Sequence, residues 1–510
     1  MKTIKLQHNI VRKIFFSFLF TSLVLFNSIY LIAQKNPHIH TSYADFDPNI
    51  STAKNQFIED IEYYVNLIDK VHGNPYHRIS KEDFLIKSDQ IENQVLALTL
   101  DSIPLIDCFY FIQELSTLIK DGHTKTKWPG KWDEYIENVF PLLLKSVNDT
   151  LLISSDMSND SIPVNSYLLS INNMPFYEIK QETYKYISAS LDHNKDIIWA
   201  ENLWYLIQTK LKMESPWLIK YEYNGNIFEK SVSGISWQER GERFPRQNLE
   251  YSYDKIKVEK EIVPVLKIPS FGYNSLEEYT AFLDKFFKKY YKKKFMIIDI
   301  RDNRGGEGVW AQYLLDFFTD SAYEAFYKLD NNMSPEYIEV IKYYLHSYYK
   351  SLNIPEDKWN EKQYGSTPYE YFFDQALTAV PNTYKQLREQ IHIPHDSPYK
   401  FKGQVYLLTS HETFSAGVVF ASLFKKNKLG LIIGRETGGK NGFCSDPITM
   451  ELPNSHLQVT IPVAEFIIQN NDIDRGVVPD IITNFSTKNY IQKEDMDLKK
   501  ALEIIRIKQN

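Results

Sequence analysis

Phe295-Met296-Ile297-Ile298-Asp299-Ile300 decides the fold. Nearly every position in this run is apolar, as expected of a strand covered on both faces of a parallel sheet. It leads into the turn Arg301-Asp302-Asn303-Arg304-Gly305-Gly306 and then a helical stretch at 309–318. The same rhythm returns further on. QVYLLT at 404–409 precedes a helical stretch at 415–426, and LGLIIG at 429–434 is a third strand. Strand, turn and helix in repetition predict an α/β core. Upstream, the pattern is different. Phe57, Ile61, Tyr64, Val65 and Ile68 fall on one helical face, Asn74-Pro75 breaks that helix, and Ser80 reads as the N-cap of the next. Between 141 and 234 short β-runs alternate with turns, and Asn224-Gly225 marks a hairpin. A Tyr-rich, partly helical insertion at 320–402 reads as a lid or as the wall of a substrate groove.

With 510 residues the chain should hold two to four domains. Hydrophobic residues at 43% and charged ones at 24% exclude a disordered or low-complexity chain. Lys and Arg number 58 against 65 Asp and Glu, so a nucleic-acid partner has no electrostatic support. Two cysteines, Cys108 and Cys444, make neither a disulfide framework nor a Cys-based zinc site. His38/His40 and His392/His395 lack the helix-spaced H-E-x-x-H pattern and read as surface histidines, so neither metal nor cofactor is expected. At the N-terminus Lys2, Lys5, Arg12 and Lys13 stand without an acid ahead of an uncharged, mostly apolar run at 14–33. That is an export signal, either a signal peptide cleaved near Ala33-Gln34 or a retained N-terminal anchor. The expected location is therefore the periplasm or cell envelope.

Three strand-end turns carry the chemistry. Gly305-Gly306 lets bare backbone amides approach a ligand at a helix start. Ser410 to Gly417 brings Ser415 to the first turn of an apolar helix, where it could be an N-cap or a nucleophile. Gly434 to Lys440 mimics a phosphate-binding loop, but Asn441 replaces the Ser or Thr that would hold magnesium, and Gly442 to Pro447 is no helix start.

Taken together, IDIRDNRGG (298–306), VYLLTSHETFSAG (405–417), IIGRETGGKNG (432–442), ELPNS (451–455) and RGVVPDI (475–481) resemble the C-terminal processing, or tail-specific, serine peptidase family, in its tricorn-core-like branch. HGNPYHRISKEDF (72–84) and LIKDGHT (118–124) resemble that family's helical N-terminal part. The resemblance implies an α/β fold with a crotonase-like peptidase core, an N-terminal helical domain and a small PDZ-like β module. The corresponding divisions are 1–33 for the leader, 45–130 for the helical domain, 131–250 for the PDZ-like module and 255–500 for the core, with its insertion at about 320–402.

The resemblance also implies site residues. Ser415 would be the nucleophile, and Ala416 with Gly305 or Gly306 would donate amides to the oxyanion. The base is His123 of the DGHT segment or, as in a second branch of the family, Lys440, which lies 25 residues after Ser415. DGHT and ELPNS favour His123, leaving Lys440 to position substrate. Two features depart from the pattern. Gly122 stands where the tricorn-like arrangement has Ser, and the acid expected before RGVVPDI is at best Asp474. Two functions are consistent with this set: a serine endopeptidase acting on extended peptides or protein tails, or an inactive peptide- or apolar-ligand-binding protein on the same fold. Neither calls for nucleic acid, and a membrane enters only through the N-terminal anchor.

Overall fold

The computed structural model describes residues 50–129, 136–244, 249–351, 353–355, 368–388, 390–470 and 472–509. The apolar run at 14–33, with His38 and His40, lies outside them. Three helices come first: α1 (Lys54–Val71), α2 (Lys81–Ala97) and α3 (Leu105–Leu118). The apolar stripe of α1 is buried, from Phe57 through Ile61 and Tyr64 to Ile68. Ser80 caps α2 by accepting the Asp83 amide at 3.0 Å.

Next come strands β1 (Leu142–Val147), β2 (Thr150–Asp156) and β3 (Tyr167–Ile171), helices α4 (Phe176–Thr183) and α5 (Asp192–Tyr205), and strands β4 (Trp217–Tyr223) and β5 (Asn226–Val232). The strands pair antiparallel in the order β1-β2-β3-β4-β5. Asn224 and Gly225 turn the last hairpin at φ 50° and 78°. The two helices were not legible as such: α5 opens on the polar run Asp192-His193-Asn194-Lys195-Asp196, and its buried face is confined to Ile197, Trp199, Ala200 and Leu203 besides Asn194.

The rest of the chain begins with β6 (Ser252–Val258), β7 (Glu261–Lys267), α6 (Leu276–Tyr290), β8 (Phe295–Asp299) and α7 (Gly308–Leu315). The insertion contains β9 (Lys328–Asn332), α8 (Pro335–Ser351) and α9 (Pro368–Leu377). Beyond it lie β10 (Gln404–Thr409), α10 (Ala416–Lys426), β11 (Gly430–Gly434), β12 (Gly442–Glu451), β13 (Gln458–Ile467), β14 (Ile481–Ile482) and α11 (Met496–Gln509). The central sheet runs β6-β7-β8-β10-β11-β14, parallel from β7 onward. Met296, Ile298, Val405, Leu407 and Ile432 pack on one face with residues of α6, α7 and α10. Ile297, Tyr406, Leu408 and Ile433 pack on the other under Ala501 and Ile505 of α11. That double cover is why 295–300 is apolar at every position but Asp299. Because β8 and β10 are parallel neighbours, their carboxyl ends place the turns at 300–306 and 410–415 side by side.

The insertion is woven in. β9 pairs antiparallel with β13, which also pairs with β12 and with the two-residue strand Lys125–Thr126. Asn332 Nδ2 donates to the carbonyls of Lys70 and His72 at 2.9 and 3.1 Å, tying the insertion to the end of α1. His392 and His395 are more than surface histidines, since both bond the buried carboxylate of Asp316, at 2.9 and 3.1 Å. After the phosphate-loop mimic at 434–440 the chain enters β12, so no helix terminus faces a phosphate there. Both cysteines are buried and free.

Candidate active site

Two turns are stitched together at the carboxyl end of the sheet. Ser410 Oγ donates to the Arg301 carbonyl at 2.6 Å and Thr413 Oγ1 to the Ile300 carbonyl at 3.0 Å. The Phe414 amide donates to the Asn303 carbonyl at 2.9 Å. Buried Asn303 completes the joint, its Nδ2 donating to the Ile268 carbonyl and its Oδ1 accepting the Gly305 amide, both at 2.9 Å.

This frame delivers Ser415 at φ 51° and ψ −119°, a left-handed conformation unusual for a residue with a Cβ. Its hydroxyl does not cap α10. The Oγ instead lies 3.4 Å from Nε2 of His123. A strained serine that forgoes its cap and sets its hydroxyl beside an imidazole has a geometry in which the hydroxyl can be activated as a nucleophile.

Gly305 and Gly306 adopt φ values of 113° and 126°. A Cβ on Gly305 would fall 2.6 Å from Ser415 Cβ, and one on Gly306 would fall 2.2 Å from the Phe271 carbonyl oxygen. The Gly305 amide is engaged by Asn303. Among the described residues, the amides of Gly306 and Ala416 enter no hydrogen bond. Those two amides therefore keep their donors unused.

His123 is held by its backbone. After α3 the chain turns through Asp121, whose Oδ1 accepts the amides of His123 and Thr124, each at 2.6 Å. Its Oδ2 accepts Thr124 Oγ1 at 2.6 Å and Nε2 of His72 at 3.1 Å. His72 is fully buried, and its Nδ1 accepts the Asn74 amide at 3.0 Å, which leaves the proton on Nε2. Burial opposes ionisation of Asp121, but His72, His123 and Thr124 outweigh it and hold the carboxyl well below the usual range.

The imidazole lies between two aromatic rings, with centroid distances of 5.3 Å to Phe414 and 6.0 Å to Phe443. Its Nδ1 turns toward the Cys444 main chain but is buried without a partner in hydrogen-bond geometry. Burial lowers its pKa against the opposing charge of Asp121, so the ring is neutral at pH 7 and able to accept a proton. The departure at position 122 now has a reason: a Cβ on Gly122 would fall 2.4 Å from Phe414 Cζ.

Two residues expected at the site do not reach the imidazole. Asp474 is ion-paired with Arg78, its side chain 65% exposed, and no hydrogen bond or ion pair joins it to His123. The Lys440 amine makes no hydrogen bond or ion pair among the described residues, with Ser415 or otherwise. It is buried beside Arg78 and Lys120, and desolvation together with those charges pushes its pKa down to about 8. His72, Asp121 and Asn303 were not among the expected residues. The first two stand in segments whose likeness to a family was visible, but their partners lie 49 positions apart in sequence. Among the described residues no group of three or more His, Cys, Asp or Glu side chains is placed to hold a metal ion.

Residues 263–483 match the family model for peptidase family S41. That stretch is similar to an S41 peptidase domain. It holds every strand of the central sheet from β8 onward together with both stitched turns. The chain is 32% identical over 120 residues to a tricorn protease homolog of Saccharolobus solfataricus, which is 22% of this chain and 10% of that protein. It is 30% identical over 117 residues to a putative tricorn-like protease C-terminal subunit of Sulfurisphaera tokodaii, 22% of this chain and 13% of the relative. The chain thus spans little more than a tenth of the length of these curated relatives. Its fold is similar to that of mature CPAF, with a TM-score of 0.63 at 14% identity over 89% of this chain and 96% of the other. The complex of mature CPAF with lactacystin gives 0.62 at 13% identity over 89% and 98%.

Proposed function

We propose that this chain is an exported serine endopeptidase of the S41 kind that hydrolyses peptide bonds in extended peptides or protein tails. The observation that carries the reading is the 3.4 Å approach of Ser415 Oγ to His123 Nε2. A catalytic hydrogen bond is often long without substrate and tightens when substrate is bound. In the first step His123 Nε2 takes the hydroxyl proton as Oγ attacks the peptide carbonyl. The carbonyl oxygen becomes an oxyanion facing the free amides of Gly306 and Ala416, each such donor contributing about 3 kcal/mol of barrier lowering. The imidazolium then protonates the leaving amine, an acyl-serine forms, and a water activated by the same histidine releases it.

Asp121 stands in for an acid on Nδ1 in this scheme. It fixes the backbone of the base and supplies the negative charge that favours the imidazolium through space. Lys440 faces the substrate as a cation and does not serve as base. The domain reading goes with this function: a helical part at 45–130, a PDZ-like module at 131–250 that grips extended peptide, and a crotonase-like core at 255–500. Export rests on the N-terminal sequence, and N-terminal sequencing of the protein recovered from the cell envelope tests cleavage near Ala33.

The direct experiment is labelling with a fluorophosphonate probe. Wild type should label, Ser415→Ala should not, and an unlabelled wild type would favour the ligand-binding alternative on the same fold.

A further inference from the structure

A cavity of about 410 Å³ lies between the β1–β2 turn and the segment after β14. Arg435, Phe485, His411, Arg475, Asn148 and Asn484 are among its lining residues. Arg435 stands at the carboxyl end of β11, its amide donating to the Thr409 carbonyl at 3.1 Å and its own carbonyl accepting Thr409 Oγ1 at 2.9 Å. Its backbone is fixed, but its guanidinium is not satisfied. Among the described residues it makes no ion pair and no hydrogen bond, and its Nε is buried without a partner. The group lies over the Phe485 ring at 4.5 Å.

A largely desolvated guanidinium with no counter-charge is costly unless something else fills that role. The nearby acids do not. Glu412 is bound by Lys145 and Arg304, and Asp497 by Arg301 and Thr483. Asp302 makes neither hydrogen bond nor ion pair with Arg435. Glu436 is taken by Arg475 at 2.7 Å. His411 donates from Nδ1 to the Glu436 carbonyl at 2.9 Å and is neutral, its pKa pushed down to about 4 by burial, His193 and Arg435. Around the unpaired charge, Phe485, Ile482, Val478 and Pro479 form an apolar wall. A bare oxyanion would leave that wall wet.

We infer that this cavity binds a carboxylate carried on an apolar body, with Arg435 as the bidentate anchor and Phe485 as the wall. Two sources share that chemistry, a small carboxylic acid and the C-terminal residue of a peptide. The inference does not depend on the reaction at Ser415, and its test reads binding and not turnover.

The test is calorimetric titration of the full chain in a Ser415→Ala background. The probes are hexanoate, hexanamide, and a pentapeptide ending in Leu, as free acid and as amide. At least one acid should bind, with its amide about tenfold weaker or more, and Arg435→Gln should remove that difference while Arg435→Lys keeps part of it. Binding of both acids assigns small carboxylates, and binding of the peptide acid alone assigns a chain terminus. Binding of neither acid, equal affinity of acid and amide, or an unmoved affinity in Arg435→Gln would overturn the inference. So would inorganic phosphate binding more tightly than hexanoate. If Arg435→Gln does not fold, Phe485→Ala must weaken the acid that binds by a similar factor, and an unchanged affinity there counts against the site.

Discussion

The carboxylate of Asp121 accepts the main-chain amide of His123, at 2.6 Å, and leaves the imidazole Nδ1 without an acid. The imidazole is thus oriented by its loop and by the rings of Phe414 and Phe443, while Asp121 acts on the ring by charge alone. Asp121→Asn keeps Oδ1 as the acceptor for the two amides, gives up the Oδ2 acceptor shared by Thr124 and His72, and removes the charge, so the His123 pKa falls further. The acidic limb of the kcat/KM profile should move to lower pH, with kcat down by about tenfold as the imidazolium loses its counter-charge. A profile that loses height without moving would show that Asp121 only shapes the loop.

Ser415 holds a positive φ without the cap that would repay it, and such strain costs about 1–3 kcal/mol. Ser415→Gly should therefore be more stable than Ser415→Ala, since glycine accepts φ 51° freely. A midpoint higher by about 2–4 °C in thermal melts is the expected size. Equal midpoints would mean that the turn is not strained. Neither variant should label with a fluorophosphonate.

The contact between Gly122 and Phe414 makes the position before His123 sensitive to size. Gly122→Ser would drive a Cβ into the Phe414 ring and displace His123 with it. Peptide hydrolysis should fall by about tenfold or more, the cost of a misplaced base. Adding Phe414→Leu makes room, so the double variant should recover activity relative to Gly122→Ser alone. A double variant that is worse than either single would refute the steric account.

The central sheet was legible because burial on both faces leaves an unmistakable apolar run, and 404–409 matches β10 residue for residue. The turns at 300–306 and 410–415 were legible because glycine pairs and a serine at a helix start are local signals. Non-local relationships were not legible. Asn303 matters because its side chain reaches Ile268, 35 positions away, and Asp121 matters because His72 comes back to it from the end of α1. Asp474 was favoured by its place in the chain, yet an exposed aspartate is easily taken by the nearest cation, here Arg78. Arg435 was read as a letter inside a glycine-rich motif, and only the fold reveals that, among the described residues, no acid pairs with its guanidinium.

The pH dependence of His123 and Lys440 variants separates the two candidate bases. A lysine whose pKa is pushed down to about 8 is protonated at neutral pH, so a lysine base would make activity rise through pH 8. A histidine whose pKa burial has pushed down loses its proton at lower pH than the lysine, so activity should rise at lower pH and be level through pH 7 to 8. His123→Ala should cost about 10²–10⁴ in kcat, the range for removing a general base. Lys440→Gln should leave kcat within about tenfold and act mainly on KM, because a buried cation without a partner serves binding more than proton transfer. Loss of the whole reaction in Lys440→Gln, together with a profile rising through pH 8 in the wild type, would transfer the role of base to the lysine and reduce the 3.4 Å contact at His123 to packing.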